Sequence, residues 1–302
     1  MKLAIIGQSA FGKSVLEALN VLDQHQVVGV FAAPDRRRSR EPLASAAKDL
    51  GIPCWQFERL RNQKSIDAFR SLEADLSVMA YVTDIVPAEI IEAPSLGTIQ
   101  YHPSLLPLHR GPSSINWAVI NGDTETGLSI FWPDEGLDTG PILMQKRVDI
   151  VPDDTVGSLY FNHLFPKGVD AILESVDLVN KGEAPRIVQD ESKATYEGWC
   201  GSNDAQIDWS LDVGTVHNLI RGCDPQPGAW STLNEEKVAF FGSSIANRGA
   251  VGQDPGTVLA LNDQGVTIAV GGGSLTVKRV RIGRGRKTSA GDVGFSAGQR
   301  FS

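Results

Sequence analysis

Short apolar runs alternate with segments of helical spacing through the first half of this chain, and no other feature constrains the fold as strongly. The run at residues 3–6 predicts a strand that ends at Gly7, and apolar residues then recur at helical spacing up to Leu19. Further strands are predicted at residues 27–32, 74–81, 98–102 and 128–132. Alternation of this kind predicts an α/β fold with a mostly parallel sheet and helices on both of its faces.

The last third of the chain has a different pattern. Short β-rich runs at residues 238–241, 256–261, 266–270 and 274–282 are separated by Gly, Asn and Asp turns. They predict a small β-barrel of the OB-like kind. A polar stretch without periodicity precedes it, after a helix end at Lys181-Gly182. We therefore predict an α/β domain over residues 1–182, a linker over 183–202 and a C-terminal β-barrel domain over 203–302.

Composition excludes several classes of protein. The net charge of −8 argues against nucleic-acid binding by the whole surface. No apolar run reaches the roughly 18 residues of a membrane span, and the N-terminus resembles a first strand more than a signal peptide. Three widely spaced cysteines favour neither a disulfide framework nor a CxxC metal site. We expect a cytoplasmic protein without a metal and without a membrane partner.

Residues 7–14, GQSAFGKS, match the P-loop pattern G-x-x-x-x-G-K-[ST]. A P-loop would hold nucleotide phosphates on backbone N–H groups and Lys13. The same glycines are also needed simply to turn the chain from the first strand into the first helix. We favour the tight turn, and we keep a P-loop nucleotide-binding module as the non-enzymatic alternative.

Two polar clusters follow predicted strands. One covers residues 100–111 and contains His102; the other covers 131–141 and contains Asp138. In open α/β sheets ligands bind at the carboxyl ends of strands, and a histidine there is suited to acid–base chemistry because it titrates near neutrality. An acid of the second cluster could pair with His102 and orient it. Two alternatives remain: His102 only makes hydrogen bonds within a turn, and the second cluster is a solvated acidic turn. A solvated turn suits Asp134 better than Asp138, because Asp138 has less polar neighbours.

Together these clusters resemble a known family. The strings YHPSLLPLHRG at 101–111 and GLDTGP at 136–141 are accompanied by SINW, SIFW, PDDTV, LFPKG, ATYEG and PGAW along residues 1–230. This set is similar to the 10-formyltetrahydrofolate-dependent formyltransferase superfamily. The resemblance is strongest to the N-terminal hydrolase domain of 10-formyltetrahydrofolate dehydrogenase, and methionyl-tRNA formyltransferase is also similar.

The resemblance implies a Rossmann-like domain that transfers the formyl group of 10-formyltetrahydrofolate to an acceptor. His102 and Asp138 match the family's catalytic histidine and aspartate. Gln100 stands where the family's transferases carry an asparagine that helps to hold the oxyanion, and its amide can donate in the same way. Residues implied to line the donor site are Met79, Ala80, Tyr81, Val82, Ser104, Leu105, Arg110, Gly136 and Leu137.

The identity of the acceptor is left open by the sequence. A small amine is our first expectation; water, as in a hydrolase, and an aminoacyl-tRNA are the alternatives. Basic residues cluster at Arg36, Arg37, Arg38 and Arg40, and again at Lys278, Arg279, Arg281, Arg284, Arg286 and Lys287. These clusters could hold an RNA backbone. We expect them to be solvated surfaces because the chain is acidic overall.

Overall fold

The structure, a computed structural model, describes residues 1–36 and 39–302, which fall into two units. One unit consists of residues 1–112, 127–148 and 163–196. The other consists of residues 113–126, 149–162 and 197–302. Two short segments from the middle of the chain, 113–126 and 149–162, therefore group with the C-terminal residues. The boundaries at 182 and 203 that we predict from the sequence stay a prediction.

Seven strands form the sheet of the first unit. They are β1 (Lys2–Gly7), β2 (Gln26–Ala32), β3 (Cys54–Gln56), β4 (Leu76–Ala80), β5 (Thr98–His102), β6 (Glu125–Phe131) and β7 (Ile142–Asp149). Their order across the sheet is β3-β2-β1-β4-β5-β6-β7. Neighbours from β3 to β5 pair in parallel, and β6 runs antiparallel to β5. The prediction of a mostly parallel sheet is confirmed.

The helix that apolar spacing predicts up to Leu19 and the helix end predicted at Lys181-Gly182 are both present. The part of the chain that the structure describes contains eight α-helices: α1 (Ser9–Asn20), α2 (Pro42–Asp49), α3 (Gln63–Arg70), α4 (Ala88–Ile91), α5 (Ser114–Ile120), α6 (Val156–Leu159), α7 (Phe165–Lys181) and α8 (Val213–Gly222). A π-helical turn at Tyr160–Leu164 separates α6 from α7. Pro166 lies in the first turn of α7, where its missing N–H leaves no hydrogen bond unmade. Gly182 ends α7 in the left-handed conformation, with φ of 70°.

The turn between β1 and α1 decides between the two interpretations of the N-terminal glycines. The carboxylate of Glu41, which is buried, accepts hydrogen bonds from the N–H groups of Ser9 and Ala44. A side chain at Gly7 would collide with the carbonyl oxygen of Ala80 in β4, so glycine is needed there for packing. Because a carboxylate already takes an amide at the start of α1, it would repel a phosphate at that position. The geometry favours the tight turn over a P-loop.

The second unit contains an antiparallel sheet. Its strands are β8 (Ala229–Leu233), β9 (Glu236–Arg248), β10 (Val258–Asn262), β11 (Gly265–Val270), β12 (Gly273–Ile282) and β13 (Thr288–Ser289). The order is β10-β11-β12-β9-β8, and β13 pairs with β12. Trp209, Phe240 and Phe301 pack edge to face or tilted in its core. A β-rich C-terminal domain is thus confirmed.

Among the helices of the described residues, none combines the length and the apolar character that crossing a membrane would require.

Candidate active site

His102 is the last residue of β5, and its neighbours fix its direction. Adjacent residues of a strand point to opposite faces. Tyr101 points to the face where its ring packs on Phe11, with ring centroids 4.4 Å apart. His102 therefore points to the other face, together with Gln100. The His102 side chain is only 7% exposed, and its Nε2 lies 2.9 Å from the carbonyl oxygen of His109.

Asp138 reaches His102 by a path that the sequence does not suggest. Because β6 is antiparallel to β5, with Ser129 paired to His102, the end of β6 leads away from the end of β5. The carboxyl ends of β5 and β6 therefore lie at opposite edges of the sheet. The loop after β6 turns back, and at Asp138 the backbone adopts a left-handed φ of 56°. Asp138 Oδ2 then lies 3.7 Å from His102 Nδ1 and accepts a hydrogen bond from Gly111 N at 2.8 Å.

The hydrogen bond to His109 fixes the tautomer of His102. A carbonyl oxygen can only accept, so Nε2 must carry a proton and donate it. In the neutral ring Nδ1 then has a free lone pair, and it faces Asp138. A separation of 3.7 Å is too long for a direct hydrogen bond. Nδ1 can therefore accept a proton from a reacting group, and the negative charge of Asp138 would stabilise the imidazolium that forms during the reaction.

Arg110 lies in the chain between His109, which contacts His102, and Gly111, which contacts Asp138. Its side chain is fully buried and its guanidinium donates to Gln189 Oε1 at 2.7 Å, to both carboxylate oxygens of Glu191 at 2.6 and 2.9 Å, and to the hydroxyl of Tyr196. The hydrogen bond with Glu191 raises the pKa of Arg110 and lowers that of Glu191. The predicted role of Arg110 in binding the donor stays a prediction, and its observed contacts are all internal to the protein.

We expect the ion pair between Arg110 and Glu191 to make a contribution to stability that is lost in acid. The pKa of Glu191 is lowered from 4.5 in the folded state, so the unfolded chain takes up its proton at higher pH. This contribution is present above the ordinary pKa and is lost as the pH falls through the lowered one. In Glu191→Gln we expect the free energy of unfolding to fall less steeply between about pH 5 and about pH 3 than in the wild type. Urea unfolding at a series of pH values measures this, and equal slopes would contradict it.

The end of β4 is buried, whereas the turn that follows it is more exposed. Met79 and Ala80 are almost fully buried, and the carbonyl oxygen of Ala80 accepts a hydrogen bond from Gln8 N at 3.3 Å. Tyr81 has a left-handed φ of 63°, and 45% of its surface is exposed. Val82 packs on the core beside Met79. Of these four predicted donor-binding residues, Tyr81 presents the most side-chain surface to a ligand.

The other predicted donor-binding residues divide into supporting and exposed groups. Ser104 is fully buried and donates to the carbonyl oxygen of Leu108 at 2.6 Å, so it shapes the loop after β5. Leu105 lies against Gly127 of β6. Gly136 donates its N–H to Asp134 at 3.0 Å in a tight turn, and Leu137 is 59% exposed beside Asp138. Leu137 is therefore an exposed apolar side chain adjacent in sequence to Asp138.

Sequence reasoning missed Gln189, which lies in the stretch predicted to be a linker. Its Nε2 donates to the carbonyl oxygens of Asp138 at 2.9 Å and Gly140 at 2.7 Å. Thr195, in the same stretch, accepts a hydrogen bond from His109 N at its Oγ1, at 2.7 Å. The stretch shows no periodicity, and a polar residue in it gives no indication of burial. The motif ATYEG that contains Thr195 was the available signal.

Two cavities lie on the surface formed by the described residues, and neither His102 nor Asp138 lines them. One, of about 470 Å³, is lined by Pro34, Glu58, Arg59, Thr83 and Asp84. The other, of about 210 Å³, lies beside Phe69 and Pro94. The location of the candidate site therefore depends on side-chain geometry at the end of β5 and not on cavity volume.

Family comparisons match nearly the whole chain. The family described as formyl transferase matches residues 1–174, and the formyl transferase C-terminal domain matches residues 201–296. Mitochondrial 10-formyltetrahydrofolate dehydrogenase of Homo sapiens is 41% identical over 99% of this chain and 34% of its own length. Methionyl-tRNA formyltransferase of Geotalea daltonii is 34% identical over 100% of this chain and 96% of its own. The chain thus spans about a third of the dehydrogenase relatives' length.

Solved structures share the fold at low sequence identity. HypX from Aquifex aeolicus in complex with tetrahydrofolic acid has a TM-score of 0.68 and 19% identity, over 97% of this chain and 46% of that chain. WlaRD, a sugar 3N-formyl transferase, has a TM-score of 0.68 and 18% identity, over 92% of this chain and 97% of that chain. At these identities the similarity establishes the fold alone.

Proposed function

Because this chain belongs to the formyl transferase family, we propose that it takes the formyl group of 10-formyltetrahydrofolate and passes it to a small amine. The predicted family is confirmed, and it supports the proposal of a formyl-transferring enzyme. The observation that supports the reaction most directly is the approach of His102 Nδ1 to Asp138 Oδ2, at 3.7 Å, with both side chains 7% exposed.

The chemistry follows from the tautomer of His102. The amine nitrogen attacks the formyl carbon, which gives a tetrahedral intermediate with a negatively charged oxygen. The amine must lose a proton, and the lone pair on Nδ1 can accept it. The imidazolium, stabilised by Asp138, can donate to the oxyanion or return the proton to N10 of the folate as the carbon–nitrogen bond breaks. Tetrahydrofolate and the formylated amine are released.

Gln100 lies on the same face of β5 as His102, two residues earlier. It is half-buried, and its amide can donate a hydrogen bond to the oxyanion. We propose that Gln100 and the protonated His102 share this role. Tyr81 and Leu137, the most exposed of the predicted donor-binding residues, would contact the donor, whereas Ser104 and Arg110 would shape the loop that carries the site.

Charge favours a small acceptor over an RNA. In the C-terminal basic cluster, Lys287 pairs with Asp224 at 3.3 Å and lies over the ring of Phe241, and Arg281 also lies over that ring. Arg37 and Arg38 of the N-terminal cluster lie outside the described residues. Since internal contacts engage part of the C-terminal cluster, an RNA backbone gains less from it. The cytoplasmic location stays a prediction.

Water is the second candidate acceptor. Relatives named 10-formyltetrahydrofolate dehydrogenase are 41–44% identical to this chain, against 34% for the methionyl-tRNA formyltransferase above. A water molecule activated at Nδ1 of His102 would release formate instead of a formylated amine.

An acceptor screen tests both candidates. We expect purified protein with 10-formyltetrahydrofolate to release tetrahydrofolate, followed by absorbance, only when a small primary amine is present. Release without an amine would show that water is the acceptor and would overturn the amine assignment. Release only with methionyl-tRNA would favour the third alternative. No release in any mixture, from protein with an intact unfolding transition, would contradict the proposed function.

A further inference from the structure

The backbone of Asp138 adopts a conformation that needs support. A left-handed φ is uncommon for a residue other than glycine, and persists only where surrounding contacts hold it. The Asp138 carboxylate receives one hydrogen bond, from Gly111 N. The loop that carries Asp138 has exposed residues at 134–137, so local packing alone does not fix it. Within the loop, Asp134 accepts hydrogen bonds from Gly136 N and from the Thr139 hydroxyl. The carbonyl oxygens on the two sides of Thr139 receive further contacts from elsewhere in the chain.

Gln189 supplies these contacts. It is 5% exposed, and its Nε2 donates to the carbonyl oxygens of Asp138 and Gly140, on either side of Thr139. Its Oε1 accepts from Nε and Nη2 of Arg110, at 3.2 and 2.7 Å. Arginine can only donate and a carbonyl can only accept, so the orientation of the Gln189 amide is determined. The residue joins the Asp138 loop to the segment after β5.

That segment also holds His102. The carbonyl oxygen of His109 accepts from His102 Nε2, Arg110 binds Gln189, and Gly111 N donates to Asp138 Oδ2. Three consecutive residues thus contact His102, Gln189 and Asp138 in turn. Arg110, Gln189, Asp138 and Gly111 form a closed ring of contacts, and His102 is joined to it through the carbonyl oxygen of His109.

From this ring we infer that Gln189 is a positioning residue for the formyl-transfer reaction, which sets the distance of the Asp138 carboxylate from His102. The inference rests on the proposed function. Gln189 does not touch the reacting atoms; it acts through the backbone of Asp138. A purely structural role would instead be to tie the stretch around residue 189 to the rest of its unit.

The test compares Gln189→Met with Glu191→Gln in the full chain. Methionine keeps the length and removes both hydrogen-bonding groups without adding charge. Glu191→Gln loosens the same stretch but leaves Gln189 in contact with Asp138. We expect Gln189→Met to lower kcat roughly 10- to 100-fold, with KM for 10-formyltetrahydrofolate changed less than about threefold, because displacement of a catalytic group by about 1 Å has effects of this size. Glu191→Gln should keep kcat near the wild-type value.

Two further measurements separate positioning from a structural role. The kcat–pH profile should change in Gln189→Met, because the negative charge that faces Nδ1 of His102 would be displaced. The amide of Gly111, which donates to Asp138, should exchange faster with solvent, while the amide of Arg110, bonded to Thr195, should keep its rate. Faster exchange at both amides with an unmoved pH profile would mean that the role is structural.

A second variant guards against loss of the fold. Gln189→Glu keeps an oxygen for Arg110 but places another oxygen against the carbonyls of Asp138 and Gly140. If Gln189→Met does not fold, Gln189→Glu should show the same fall in kcat with little change in KM. Wild-type kcat in the folded variants would overturn the inference while leaving the proposed function intact. Absence of turnover in the wild type would overturn the proposed function itself.

Discussion

Replacement of His102 by alanine is expected to lower kcat for tetrahydrofolate release by roughly 10²- to 10⁴-fold, the range of a lost general acid–base group. The physical reason is the fixed proton on Nε2, which leaves Nδ1 as the nitrogen that can take a proton from the acceptor. Alanine removes this nitrogen and the imidazolium that would donate to the oxyanion. Steady-state kinetics with saturating donor, followed by absorbance, measure the effect.

His163 offers a matched control. It is a half-buried histidine in the π-helical turn at Tyr160–Leu164, and the proposed reaction gives it no role. We expect His163→Ala to retain kcat within about threefold and to show that the loss of an imidazole elsewhere is tolerated. Thermal unfolding of both variants shows whether the fold is kept. A folded His102→Ala variant with wild-type turnover would contradict the site assignment.

Replacement of Asp138 by asparagine is expected to lower kcat roughly 10²- to 10³-fold while the protein stays folded. Asparagine tolerates a left-handed backbone better than most residues, and its side-chain oxygen can still accept from Gly111 N. The substitution therefore removes the charge and keeps the geometry. Without the carboxylate, formation of the imidazolium during the reaction costs more, so the kcat–pH profile should also change.

Asp134→Asn is the control for this change because Asp134 lies in the same loop. Its Oδ1 accepts from Gly136 N and from the Thr139 hydroxyl, at 3.0 and 2.5 Å, and an asparagine oxygen can take both hydrogen bonds. We expect its kcat and pH profile to match those of the wild type. If Asp134→Asn lost as much activity as Asp138→Asn, general negative charge in the loop would be responsible and the specific role of Asp138 would be refuted.

Much of the α/β unit could be predicted from local patterns. Apolar residues from Phe11 to Leu19 are buried on one face of α1, and β5 spans Thr98–His102 as predicted. Two strands escaped prediction for local reasons. β3 has only three residues, and β7 carries Gln145, Lys146 and Arg147 and so lacks a continuous apolar run. The spacing of apolar residues indicates which side of a helix or strand is buried. The strands that were missed are therefore those with few buried apolar residues.

The sequence by itself determined the class of fold, the position of His102 at a strand end and, through its motifs, the family. Only the tertiary structure decided that β6 is antiparallel, that the following loop turns back to bring Asp138 to His102, and that Gln189 holds this loop. The bond from Gln189 to Asp138 spans 51 residues and that from Arg110 to Gln189 spans 79. Local periodicity carries no information about such contacts, because they depend on the path of the whole chain.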